Sequence, residues 1–128
     1  MDLEELRLYC LSKPETTEEL PFGPDTLVFK VAGKMFAACG IDNFETVNLK
    51  CDPERAIELR ETNPHVKPGY HMNKKHWNTV NALNYPNTAE LLAMVDHSFD
   101  IVVSKLPKVQ RERIKKPRTN LGLIISLE

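Results

Sequence analysis

Two β-rich runs, Thr26 to Val31 and Lys34 to Cys39, are separated by only Ala32 and Gly33. A gap that short turns the chain straight back on itself, so the runs pair antiparallel as a tight hairpin. A two-residue turn also fixes the register: Val31 opposes Lys34, Lys30 opposes Met35 and Phe29 faces Phe36. Lys30 and Lys34 then flank the tip on opposite faces of the ribbon, with at least one of them solvated. Glu45 to Cys51 alternates, with Val47, Leu49 and Cys51 on one face and Thr46, Asn48 and Lys50 on the other. This is the pattern of a half-buried strand, and it continues the hairpin as the third strand of a meander.

Helices flank this meander. Leu3, Leu6, Tyr9 and Cys10 recur at helical spacing behind an Asp2/Glu5 capping box, and Pro14 marks the end of that helix. A polar stretch follows to Pro24. Asp52 with Pro53 starts a second helix that runs to about Thr62, where Asn63-Pro64 breaks it. Val66 to Tyr70 and His76 to Leu83 read as two more strands joined by Met72 to Lys75. Asn87 and Glu90 cap the last long helix, whose core stripe is Leu91, Leu92, Val95, Phe99, Val102 and Val103. The 128 residues are enough for one core. The expected organisation is a domain over residues 1–104 and a basic C-terminal extension over 105–128. The extension ends in the apolar run Leu121 to Leu127, which suits an edge strand or an oligomer contact.

Several functional classes fall away. No apolar run approaches bilayer length, and Asp2, Glu4 and Glu5 do not read as a secretory signal, so a soluble protein in the cytoplasm is expected. Cys10, Cys39 and Cys51 are odd in number and widely spaced among apolar neighbours, which favours reduced core thiols over disulfides or a metal site. The chain lacks a phosphate loop, paired dinucleotide glycines and a Gly-x-Ser-x-Gly elbow. The expectation is therefore a protein without catalytic residues or cofactors.

Charge is where the sequence becomes specific. The net charge of -1 hides seven acids against two bases in Met1 to Asp25 and seven bases against two acids in Ile101 to Glu128. Thr62 to Ala89 contains no Asp or Glu at all. Inside that window, Gly69 to Asn78 packs Lys74, Lys75, His71, His76 and the single tryptophan, Trp77, into ten residues. A segment without counter-charges of its own attracts anions. Lys74 and Lys75 at a turn cannot both be buried, and Asn73 and Asn78 add donors suited to phosphate oxygens. His71 and His76 fall short of the three or four converging ligands that zinc requires. Trp77, on a strand, is read as an anchor to the core.

These residues bring a family into view. Tyr9-Cys-Leu-Ser12, Pro21-Phe-Gly-Pro-Asp25, Leu27-Val-Phe-Lys-Val31 with Gly33-Lys-Met-Phe-Ala37, Asn48-Leu-Lys-Cys-Asp-Pro-Glu-Arg-Ala56, Pro68 to Asn78 and Asp96-His-Ser98 resemble the MmcQ/YjbR family. The resemblance implies a CyaY-like α+β fold, in which a twisted antiparallel sheet is packed on one face by helices. It also implies two hairpin wings that approach DNA, with Lys30, Lys34, Lys74 and Lys75 on phosphates and His71, Asn73 or Asn78 near bases; His76 lies in the second wing, while Phe29, Phe36 and Trp77 are structural. Two other expectations stay open beside DNA binding. One is a protein-interaction module around Tyr70, Met72 and Trp77, or on the C-terminal apolar run. The other is a small-anion or ligand pocket formed if Tyr70 to Asn78 converge on a concavity.

Overall fold

A computed structural model describes residues 1–115, which fold as one α+β domain around a six-stranded antiparallel sheet. In chain order the elements are α1 (Leu3–Leu11), β1 (Thr16–Glu19), β2 (Thr26–Val31), β3 (Lys34–Gly40), β4 (Thr46–Lys50), α2 (Pro53–Thr62), β5 (Val66–Pro68), β6 (Trp77–Asn81), α3 (Thr88–Ser104) and α4 (Lys108–Lys115). The strand order is β1-β2-β3-β4-β6-β5. Alternation sends Leu27, Phe29 and Val31 of β2, Val47 and Leu49 of β4, and Val80 of β6 into one core with Leu91, Val95, Phe99 and Val102 of α3. Local signals account for the helix starts. Asp2 and Glu5 form the reciprocal capping box of α1, Asp52 caps α2 with Pro53 in its first turn, and Asn87 caps α3.

The β2–β3 turn has Ala32 at φ 48° and Gly33 at φ 82°, the doubly left-handed geometry of the tightest hairpins. Val31 pairs with Lys34 and Lys30 with Met35, as expected. Phe29, however, pairs with Ala37 across a bulge, so Phe36 is the extra residue and the Phe29–Phe36 pair does not form. The cause lies on α3. The Ser98 hydroxyl donates to the Phe36 carbonyl at 2.5 Å and accepts the Lys50 amide at 2.8 Å. One side chain thus occupies the place of a ladder rung, and the β3–β4 pairing is confined to Ala37–Cys39 with Val47–Leu49. Both phenylalanines are fully buried all the same, and Phe36 meets Phe99 edge-on at 5.2 Å.

Three other expectations need correction. The polar stretch before Pro24 contains an edge strand, β1, held by a two-pronged ion pair in which Arg7 Nε and NH2 each donate at 2.6 Å to Glu18. The fifth and sixth strands are shorter than their β-rich runs, so residues 69–76 form an eight-residue connection. Nor does the domain stop at 104, because Leu106 and Ile114 are buried in the core and α4 packs on α3. The run Leu121 to Leu127 lies outside the described residues.

Candidate polyanion-binding end of the sheet

Register brings several distant segments to one end of the sheet. Val31 opposite Lys34, Lys50 opposite Trp77 and Pro68 opposite Asn78 place the β2–β3 turn, the last residue of β4 and the 69–76 connection at the same end. The C-terminus of α3 arrives there too, since Lys105 and Leu106 line a cavity together with Ala32 and Lys34. Lys34, Lys74, Lys75 and Lys105 are all exposed at this end.

The expected site residues divide into two groups. Lys34 and Lys75 stand at the two connections, and among the described residues neither makes an ion pair. Lys30 points to the helix-free face and pairs with Glu19 of β1, Nζ to Oε1 at 3.0 Å, which offsets its charge. The Lys74 ammonium donates to the Gly69 carbonyl at 3.1 Å, inside its own loop. Asn73 Oδ1 accepts the Lys75 amide at 2.9 Å and closes that turn, while His76 is half-buried behind it. Asn78 cannot read a base: it faces the helix side and is 2% exposed. Trp77 is buried as expected, but opposite Lys50 on the helix-free face; the Lys50 ammonium lies 5.9 Å from its ring centroid.

The residue that holds the second connection in place is Arg60 of α2, which sequence reasoning did not single out. Its Nε donates to Asn78 Oδ1 at 2.7 Å, and its NH2 donates to the backbone carbonyls of Lys74 and, at 3.1 Å, Trp77. An arginine near the end of an amphipathic helix looks like an ordinary solvated side chain. Only the tertiary fold reveals the three acceptors.

The first part of the same connection folds back over the helix-free face. The Tyr70 amide donates to Thr79 Oγ1 at 2.8 Å, and Thr79 in turn donates to Asn48 Oδ1 at 2.5 Å. His71 adopts φ 58°, a left-handed conformation that β-carbon residues rarely take, with its ring 4.0 Å from that of Tyr70. Tyr70, His71 and Met72 thereby wall a cavity of about 490 Å³ with Asn48 on its floor and Phe22 on the opposite rim.

The Asp96-His-Ser98 signature is structural. Asp96 accepts from the Tyr9 hydroxyl at 2.6 Å and from Lys13 Nζ at 2.5 Å, which ties α3 to α1. His97 Nε2 accepts the Asp52 amide at 3.2 Å at the start of α2, and Ser98 is the wedge between β3 and β4. The thiols do not suit nucleophilic chemistry: all three cysteines are free and buried, and burial pushes Cys10 and Cys39 up to about 12. Among the described residues no group of three His, Cys, Asp or Glu converges as a metal site, and no helix is long and apolar enough to cross a membrane.

Comparisons with known proteins agree with this architecture. The YjbR family model matches residues 11–101. The uncharacterized protein YbdF of Escherichia coli O157:H7 is 38% identical over 96 residues, 74% of this chain and 79% of the relative. The uncharacterized protein YjbR of Escherichia coli K12 is 32% identical over 113 residues, 88% of this chain and 96% of the relative. Among solved structures, Deinococcus radiodurans protein DR2400, of domain family DUF419, superposes with a TM-score of 0.79 at 38% identity, covering 94% of this chain and 92% of that one. A Pseudomonas syringae protein superposes at 0.68 with 29% identity, covering 79% and 98% respectively.

Proposed function

The chain belongs to the YjbR family, and from that premise we propose that it is a non-catalytic protein that binds duplex DNA through the phosphate backbone. The contacts would come from the two hairpin connections at one end of its sheet, acting as wings. What supports this reading most is the shared end: Lys34 on one connection and Lys75 on the other are exposed and carry no ion pair among the described residues. Each lysine that neutralises a phosphate releases a condensed counterion, so affinity falls steeply with salt and carries little sequence information. The slightly acidic whole chain does not oppose this, because phosphate binding follows the local field, and the window Thr62 to Ala89 that carries Lys75 contains no acid.

A fluorescence titration with a duplex at two salt concentrations tests the reading. The wild type binds at low salt, and Lys34→Ala and Lys75→Ala each reduce the slope of log affinity against log salt by about one. Absence of binding by the wild type at low salt sinks the proposal. Unchanged binding by Lys75→Ala alone removes the second connection from the interface.

One observation favours a second reading, a small-ligand pocket on the helix-free face. The cavity beside Tyr70 and His71 is the concavity such a site needs, and its rim carries two exposed rings, with Phe22 and Tyr70 each 68% exposed. Among the described residues no Lys, Arg, Asp or Glu lines it, so the ligand that suits it is a flat, uncharged molecule. A thermal-shift screen with neutral heteroaromatic compounds checks this: hits lost in Tyr70→Ala support the pocket, and an empty screen removes it.

A further inference from the structure

A second cavity, of about 570 Å³, opens where Ser98 separates β3 from β4, and its chemistry differs from that of the wings. Its walls carry Lys34, Met35, Lys50, Trp77, Lys105 and Gln110, and among the described residues no acid lines it. Among the described residues, none of the three lysines makes an ion pair. Three uncompensated ammonium groups around a concavity with low-dielectric walls focus positive potential into it. The remaining wall is largely apolar, with Ala32, Val102, Leu106 and Pro107 beside Met35 and Trp77. Trp77, 8% exposed, presents what remains accessible of its indole beside Lys50, with Met35 next to it.

We propose that this cleft holds a single unpaired nucleotide, its phosphate on Lys34, Lys50 and Lys105 and its base against Trp77 and Met35. Both halves of the wall are needed to reach this ligand. A bare anion would satisfy the lysines and leave the apolar wall unmatched, whereas an uncharged ring would leave three cations without an anionic partner. A base paired inside a duplex has both faces stacked on its neighbours and cannot lie against Trp77, but a base at a strand end or in a free mononucleotide can. The volume lies in the range of small-ligand sites. The inference goes beyond duplex-backbone binding, shares only Lys34 with it, and stands or falls separately.

Trp77 is the only tryptophan, so the cleft carries its own fluorescent reporter. The full chain is titrated at low salt with adenosine monophosphate, with adenosine, with inorganic phosphate, and with blunt and overhanging duplexes of equal length. Adenosine monophosphate is expected to quench Trp77 saturably. Lys50→Ala and Lys105→Ala should each weaken that binding about tenfold, the size of one charge-assisted hydrogen bond, whereas Lys75→Ala leaves it unchanged. Equal thermal melts of the variants exclude a folding defect. If the overhanging duplex binds at least about fivefold tighter than the blunt one, the nucleotide comes from a strand end; if both bind alike while adenosine monophosphate still quenches, the ligand is the free nucleotide. Two results overturn the proposal. One is no saturable quenching by adenosine monophosphate, even if blunt duplex binds. The other is inorganic phosphate displacing adenosine monophosphate with equal affinity, because the base would then contribute nothing.

Discussion

The two connections at the basic end of the sheet are built in opposite ways. The β2–β3 turn is two residues long and takes its shape from its own backbone, Ala32 and Gly33 both at positive φ. The 69–76 connection is eight residues long and is shaped by side chains from elsewhere: Arg60 on α2 takes hold of its end, and Thr79 and Asn48 on the sheet hold its beginning. Lys34 is therefore presented by an autonomous element, and Lys75 by one that depends on a helix. Two tips with similar charge can fail for different reasons, and substitutions that act on one and spare the other separate them.

The largest effect is expected at Arg60. Arg60→Ala strips the donor from Oδ1 of Asn78, a residue that is 2% exposed and whose Nδ2 has no partner among the described residues; it also removes the Arg60 bond to the Lys74 carbonyl and leaves the Trp77 carbonyl with the Gly69 amide alone. Orphaning a buried polar group of this kind costs about 2–3 kcal/mol. Lysine should not restore it, because one ammonium cannot reach three acceptors with the geometry of a planar fork. Denaturant unfolding measures the loss, and limited proteolysis should find new cleavage within 69–76 while the β2–β3 turn stays resistant. If Arg60→Ala unfolds at the wild-type midpoint, the long connection holds itself and the contrast fails.

The asymmetry explains what could be read from the sequence. The β2–β3 turn, the three helix caps and the meander rest on neighbouring residues, so spacing alone located them. Phe36 did not follow the simple register because the competing group, Ser98, lies 62 residues away and replaces a ladder rung. Strand β1 was hidden because its side chains are polar: Glu18 faces the helices yet is charged, and becomes acceptable only by pairing with Arg7. The decapeptide stood out as a charge anomaly, but which of its residues are free depended on partners outside it. Lys74 and Asn73 are engaged in the loop, Asn78 is buried beneath Arg60, and Lys75 remains. Lys50 reads as a lysine on the polar face of its strand and Lys105 as one of the seven bases of the C-terminal extension, and only the cavity at this end of the sheet brings them together.

The glycines of the two connections give a smaller and more pointed test. At Gly33 an added β-carbon meets nothing within 4 Å, so any cost of Gly33→Ala is conformational, about 1–2 kcal/mol for the left-handed backbone. At Gly69, where the backbone needs no glycine, an added β-carbon would sit 2.8 Å from Trp77 Cβ and 2.9 Å from the Trp77 carbonyl, so Gly69→Ala costs by overpacking, about 1–3 kcal/mol. The sign of a relieving substitution distinguishes the causes. Ala32→Asn, a residue that tolerates the left-handed region, should raise the unfolding free energy modestly, by about 0.5–1 kcal/mol. A destabilising Ala32→Asn would mean that the short turn is not governed by its backbone after all.

The smallest effect is a pH dependence confined to the long connection. His97 accepts the Asp52 amide at the start of α2, the helix that carries Arg60, and its pKa is lowered by burial first and by nearby Arg55 second, with Asp52 and Asp100 opposing. In the unfolded chain the imidazole protonates near about 6.5, whereas in the fold it resists protonation to a lower pH. The unfolded state therefore binds more protons in that window, so His97 contributes its full stability above about 6.5 and loses it as pH falls through the folded value. Protonation also removes the lone pair that receives the Asp52 amide, which loosens the start of α2 and, through Arg60, the 69–76 connection. His97→Gln keeps an acceptor that does not titrate. Between about pH 7 and about pH 5 the wild type should thus gain protease sensitivity at 69–76 that His97→Gln does not, with the β2–β3 turn unchanged in both. If the two proteins respond equally to acid, some other group controls the helix, and the dependence of the long connection on α2 has to be traced to Arg60 alone.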